Sequence, residues 1–324
     1  MKRTWWISSA VLLLSTALLT GCGTKTEESS DSGKLSVVTT IFPAYDFTRE
    51  VAGQEAEVTM LLQPGTEAHT YEPTPKDIKA IQNCDVFIYT GGENDVWVED
   101  ILSTMNTSDM VQIRMVDCVD TLETAELEGV DEHDHEEEHA HEEGEDHAHE
   151  VEEHVWTSPV NSMAIVDTIA AKLAEKDSEH AEIYQKNAKE YQVELENLNQ
   201  KFKSVVAGAE RKTIVFGDRF PILYFAEEYG LSYYAAFPGC ASDTEPSAST
   251  IAFLTDKVEE EKIPVVFKIE LSNGKVADTI AESTGTKVLT FETCHNLTRE
   301  DFENGETYLT LMERNVETLK EALN

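Results

Sequence analysis

Positive charge is scarce in this 324-residue chain: 25 Lys and Arg face 63 Asp and Glu, a formal net charge of −38. Such a surface repels phosphate backbones and excludes nucleic acid as a partner. Residues 121–153 hold sixteen Asp and Glu with no Lys or Arg, and the rest of the chain still carries about −22. The acidity is therefore general, suited to collecting cations or to solubility. No Ser sits in a G-x-S-x-G turn, the strained elbow that presents a nucleophile in α/β hydrolases, and the chain reads as a non-enzyme. Cysteine is limited to five residues. What the chain has is 40% hydrophobic residues, enough for two cores of ordinary size.

The N-terminus, "MKRTWWISSAVLLLSTALLTGC", has a basic start at Lys2 and Arg3, an apolar run to Leu19 and small residues before Cys22. The run is too short and wrongly flanked for a membrane-spanning helix. It resembles a bacterial lipoprotein signal over residues 1–21, with Cys22 the acylated first residue of the mature chain and 22–34 a flexible polar tether. The expected location is the outer face of the cytoplasmic membrane, held by lipid. Outside the cell, Cys84, Cys118, Cys240 and Cys294 are candidates for disulfides. Three connectivities exist; Cys84–Cys118 with Cys240–Cys294 places one in each half, and a thiolate metal site is the rival reading.

Along the chain, strand and helix patterns alternate. Strands are expected in "KLSVVTTIFP" (34–43) and at 57–62, 85–92 and 110–116, with helices over 44–51 and in "TPKDIKAIQNC", where Thr74 caps and Pro75 takes the first helical position. From Tyr184 through Ala188, Tyr191, Leu195, Leu198, Phe202 and Val205, apolar residues recur at steps of four and three, one face of a long helix. The second half repeats the theme: strands at 213–216, in "LSYYAAF", at 263–271 and in "TKVLTF"; helices stopped by Gly230 and Gly285, one entered through Pro246, and an amphipathic helix in "GETYLTLMERNVETLKEAL". The fold class is α/β: two (βα) lobes with mainly parallel sheets, joined by a long rigid helix. The expected boundaries are 35–177 for the first lobe, 178–207 for the linker helix and 208–324 for the second. Loops at the carboxyl ends of strands would meet in the cleft between lobes, where small ligands bind.

Seven of ten histidines fall in "DEHDHEEEHAHEEGEDHAHEVEEHVW", residues 131–156. His133, His135, His139, His141, His147 and His149 lie among carboxylates with no periodicity to bury, so residues 128–153 are expected to be a disordered acidic loop that gathers ions through interchangeable ligand sets. His154 stands where ordered sequence resumes, in "HVWTSP". His69, in "QPGTEAHTYEPTP", and His295, in "FETCHNLT", lie on loops after strands. Three imidazoles converging on one cleft suit Zn2+.

Together, "PGTEAHTYEPTP", the acidic His tract, "HVWTSPVNSMAIVDTIAAKL", the long helix and "TEPSASTIAFLTDKVEEEKIPVVFKIELSNGKVADTIAESTGTKVL" resemble the zinc/manganese-type solute-binding lipoproteins of ABC importers, in the zinc-uptake branch, from about Lys34 to Asn324. The resemblance implies one ion between the lobes, delivered to a membrane permease, and a monomeric protein. It assigns His69 and His154 as ligands and places a further ligand near His295. Where relatives carry another ligand, this chain has Gly217 or Arg219. Arg219 has no lone pair to give; Asp218 beside it is the substitute candidate, and a water the alternative. Glu270 is either an alternative oxygen ligand or a residue behind the ligands, and Arg219 a partner for it across the cleft wall. Three imidazoles with at most one carboxylate favour zinc over manganese. A manganese or other divalent-metal binder, and a zinc buffer or adhesin uncoupled from transport, are the alternatives.

Overall fold

In the computed structural model, which describes residues 33–92, 95–124, 126–130, 151–239 and 246–324, β-branched and aromatic runs become strands wherever both faces can be covered. β1 (Leu35–Thr39) leads through α1 (Phe42–Ala52) to β2 (Ala56–Met60), then α2 (Pro75–Asn83), β3 (Val86–Tyr89), α3 (Val96–Ser103) and β4 (Val111–Arg114). The strands pair in the order β2-β1-β3-β4, every pair parallel. VFIY of β3 is buried at every position, whereas edge strand β2 alternates between half-buried and exposed residues, the difference expected between central and edge strands. Thr74 caps α2 in a reciprocal capping box with Asp77, and Pro75 opens the helix, satisfying end amides that have no partner within the helix.

α4 (Pro159–Lys176) and α5 (Ala181–Ala207) follow. The 27 residues of α5 span roughly 40 Å at about 1.5 Å per residue. Tyr184, Ala188, Tyr191, Leu195, Leu198, Phe202 and Val206 form its buried face. The helix starts after His180, whose imidazole bonds Asp177 at 2.7 Å and approaches Glu55 at 3.4 Å.

The second lobe runs β5 (Thr213–Phe220), α6 (Leu223–Tyr229), β6 (Ser232–Pro238), α7 (Ala248–Glu260), β7 (Val265–Ile269), α8 (Lys275–Thr284), β8 (Lys287–Phe291), α9 (Arg299–Asn304) and α10 (Tyr308–Leu323). Its sheet order, β6-β5-β7-β8, is again all parallel, so the two lobes share one topology. Gly230 and Gly285 close α6 and α8 in the left-handed conformation, which glycine adopts without steric cost. α7 is entered through Ser247, whose hydroxyl accepts from the Thr250 amide, one residue after Pro246.

α5 packs on α1 and α4 of the first lobe and on α6 and α10 of the second. One apolar cluster consequently runs from Leu35 and Val37 through Trp156, Leu195 and Phe202 to Phe267 and Leu323, and each sheet has a smaller cluster of its own on another face. No helix among the described residues is long and apolar enough to cross a membrane.

Several expectations change. The strand expected at 213–216 continues to Phe220, and the short helices α3 and α9 carry too few apolar repeats to show in sequence. The pairing of Cys84 with Cys118 is overturned: both are free thiols. Cys84 lies in the cluster with Val38 and Phe87, and Cys118 packs against the one with Val37 and Ile88, so the two approach opposite faces of one sheet. Cys294 is likewise a free, buried thiol, and its expected partner Cys240 lies outside the described residues. So do the signal segment, Cys22, and His133, His135, His139, His141, His147 and His149.

Asp46 of α1 ties the two lobes together, its carboxylate accepting the Tyr308 amide at 2.8 Å where α10 begins. Burial raises its pKa to about 7, against the partial relief of that hydrogen bond. An acid with a higher pKa folded than unfolded takes up a proton on folding, so its contribution to stability falls as pH rises from about 4 to about 7. Asp46→Asn is therefore expected to melt above the parent at pH 8, with the two melting temperatures converging towards pH 4. A difference that stays constant with pH would contradict the assignment.

Candidate metal centre

Each candidate ligand is delivered by the end of a rigid element. His69 follows β2 and the turn Pro64–Gly65, where Gly65 has φ 79°. His154 precedes a single 3-10 turn, Val155–Thr157, and the start of α4. His295 follows β8 and Cys294, a non-glycine residue at φ 60°. Left-handed backbone at such a residue is strained and persists where surroundings enforce it; here it turns the chain after Thr293 so that residue 295 faces the cleft.

Among the described residues, His69, His154 and His295 are the one group of three or more His, Cys, Asp or Glu whose ligand atoms all lie within 4.8 Å of one another. Ring centroids are 5.7 Å apart for His69–His154, 5.0 Å for His69–His295 and 5.2 Å for His154–His295. Tetrahedral zinc, with bonds of about 2.0–2.1 Å, needs donor separations near ~3.3 Å, a spacing inside the 4.8 Å limit within which these donors lie.

His154 is the most constrained of the three. Its Nδ1 makes a short hydrogen bond to the Glu152 carboxylate, and its backbone N–H donates to the same oxygen at 3.1 Å. Its Nε2 is buried with no hydrogen-bond partner among the described residues. In the neutral imidazole that arrangement assigns the proton to Nδ1 and directs the lone pair of Nε2 into the site. Glu152 is itself fixed: its amide donates to the Leu122 carbonyl and its own carbonyl accepts from the Tyr224 hydroxyl at 2.8 Å. Burial opposes a charge on either group, yet their mutual attraction wins: His154 titrates above the ordinary imidazole range and Glu152 below the ordinary carboxylate range. His295 lies well below the imidazole range, pushed down by burial and then by the neighbouring His69 and His154.

Trp156 walls the group, its ring 5.4 Å from His154 and 4.9 Å from His295. Its Nε1 donates to the Thr293 carbonyl at 2.9 Å, and its carbonyl accepts from the Tyr308 hydroxyl at 2.7 Å. Thr293 is clamped again by Glu270, which accepts from its amide at 2.6 Å and its hydroxyl at 2.5 Å.

The remaining candidates are placed differently. Glu270 is fully buried and its pKa is raised to about 8, by burial and then by Glu292, so it is largely a neutral acid near pH 7. Both its oxygens serve Thr293, which makes it a support for the His295 loop. Asp218 sits inside β5 where the pairing with β6 shifts register between Phe216 and Arg219. Its carboxylate accepts from the Arg219 amide at 2.9 Å and the Ile269 amide at 3.5 Å, and it is not part of the three-histidine group. At Gly217, a Cβ would lie 2.5 Å from Ala277 Cα of α8, so no side chain fits there. Arg219 pairs with Glu67, at 3.3 Å, and not with Glu270 as expected. The sequence also contains an H-E-x-x-H string, at residues 135–139; it falls in the acidic tract, outside the described residues. Reading the sequence missed Glu152 and Trp156. Glu152 was hidden among the carboxylates of the tract, its spacing of two residues before His154 being its only signal.

The profile of the family described as ZnuA, zinc-uptake complex component A, periplasmic, matches residues 37–322. The chain belongs to that family. It is 34% identical to the high-affinity zinc uptake system protein ZnuA of Bacillus subtilis, with 98% of each chain covered. To the zinc-binding lipoprotein AdcA of Streptococcus pneumoniae it is 33% identical, over 97% of this chain and 60% of that one. The crystal structure of the Zn(II)-bound ZnuA-like domain of the same AdcA superposes with a TM-score of 0.73 at 31% identity, over 90% of this chain and 99% of that domain. The family is one of transport components that act outside the cytoplasm, not of enzymes.

Glu152→Gln keeps the shape but removes the charge that holds His154. The expected result is a zinc affinity reduced roughly 10- to 100-fold, the usual cost of losing a ligand's orienting carboxylate, with an unchanged circular dichroism spectrum. Parent-like affinity in a competitive titration would remove Glu152 from this role.

Proposed function

We propose that the protein captures Zn2+ outside the cytoplasmic membrane and delivers it to the permease of an ABC-type importer. The observation that carries this reading is the convergence of His69, His154 and His295, one buried and two half-buried, on one point, in a chain of the zinc-uptake family. Three imidazoles without a carboxylate among them favour zinc over manganese, which prefers oxygen donors. With Asp218 bonded to backbone amides, the fourth position falls to water. A site with an exchangeable ligand suits cargo that must be handed on.

The lipid anchor belongs to the same proposal: acylation at Cys22 would keep a monomeric protein beside its permease. The histidines from His133 to His149 act as a collector, holding ions with modest affinity and little selectivity.

A competitive zinc titration of the mature chain tests this, run beside a version lacking residues 129–150 and the full-length His295→Ala variant. The shortened protein is expected to keep one tight site and the point variant to lose it, by roughly a hundredfold or more for one lost ligand of three. Loss of tight binding on deleting the tract, with His295→Ala unaffected, would make the tract the site and overturn the three-histidine reading.

A further inference from the structure

The loop carrying His69 is held down by the lobe to which it does not belong. Asn296, two per cent exposed, donates its amide to the carbonyls of Gln63 at 2.9 Å and Thr66 at 2.8 Å. The Gly65 amide donates to the Leu297 carbonyl at 2.8 Å. Closer to the ligand, the Arg219 guanidinium meets the Glu67 carboxylate fork to fork, at 3.4 and 3.3 Å. Glu67 is two residues from His69, and its carboxylate lies 3.5 Å from the His69 amide.

These two attachments differ in kind. The Asn296 anchor is buried, neutral and short, and holds backbone carbonyls at the base of the loop. The Arg219–Glu67 anchor is longer, ionic and partly exposed, with side chains 12% and 35% accessible, and holds the end next to the ligand. Water and salt weaken the second far more than the first. Beside it lies a cavity of about 260 Å3, bordered by Glu67, His69, Asp218, Arg219 and the start of α8, space into which the ligand end of the loop can move.

We propose that the Arg219–Glu67 ion pair is a latch that sets how fast the bound ion leaves. Closed, it holds His69 against the other two imidazoles. Broken, it lets the ligand end of the loop swing about the Asn296-held base, carrying His69 towards the cavity and leaving the ion on two imidazoles. The proposal rests on the three-histidine reading of the site and adds the control of release.

The test is the zinc off-rate, measured by rapid mixing of the zinc-loaded full mature chain with excess chelator. Arg219→Lys keeps the charge but loses the fork; Glu67→Gln loses the opposing charge. Each is expected to raise the off-rate roughly fivefold, the scale of a partly shielded forked ion pair, and the double variant no further than either single. An off-rate raised by Glu67→Gln but unchanged by Arg219→Lys would mean that net charge alone acts, and would overturn the latch. Unchanged rates in both would show the pair to be idle, with the same consequence. His69→Ala separates the two levels: parent-like zinc affinity there removes the three-histidine site and the latch together, whereas lost affinity with unchanged rates in the ion-pair variants removes the latch alone.

Discussion

Everything in this molecule depends on one apolar core being shared by two sheets. The three imidazoles come from positions 69, 154 and 295, yet their donor atoms lie within 4.8 Å. Loops alone could not hold such distant residues together, because the entropy of ordering them would exceed what a few hydrogen bonds return. The cluster from Leu35 to Leu323 solves this by fixing the strand ends, with α5 packed on helices of both lobes. Trp156 then joins the core to the site, since one indole touches two of the imidazoles and bonds the Thr293 carbonyl. The cleft is thus the place where the core stops, with its walls already set by packing.

The electrostatics divide into two ranges. At long range the chain presents a large excess of negative charge, which draws cations and speeds their arrival at low ionic strength. At close range the site presents imidazole nitrogens, and nearby carboxylates are committed: Glu152 to His154, Glu67 to Arg219, Asp218 to backbone amides, Glu270 to Thr293. Attraction is therefore general and recognition is local. Oxygen-seeking ions feel the field but find few free oxygens among these residues at the centre, which is how an acidic protein can be arranged for a nitrogen-preferring ion.

Much of this was legible in sequence. Strand and helix alternation, the capping box at Thr74, the left-handed glycines at 230 and 285 and the long stripe on α5 are local signals with local causes, and the structure carries them. The three histidines were legible because each stands beside a turn or an element end. What stayed hidden depends on faces and partners. Cys84 and Cys118 are economical to pair on paper, but they pack towards opposite sides of one sheet. Asp218 reads as a loop residue, yet a register shift in β5 gives its carboxylate backbone amides to serve. Arg219 reads as a partner for Glu270, although Glu270 is buried behind Thr293 and Glu67 is the carboxylate that crosses the cleft to meet it. Sequence spacing carries no information about which of several carboxylates a guanidinium will reach.

The closing role of α10 has a consequence for the order of events in the life of the chain. Tyr308 bonds both Trp156 and Asp46, and β8 carries the loop with His295, so the third imidazole and the clasp that steadies the cleft both come late in the chain. A polypeptide emerging from its N-terminus has His69 and His154 long before it has a cleft. The group of three imidazoles is therefore complete only once the C-terminal segments have been made and packed.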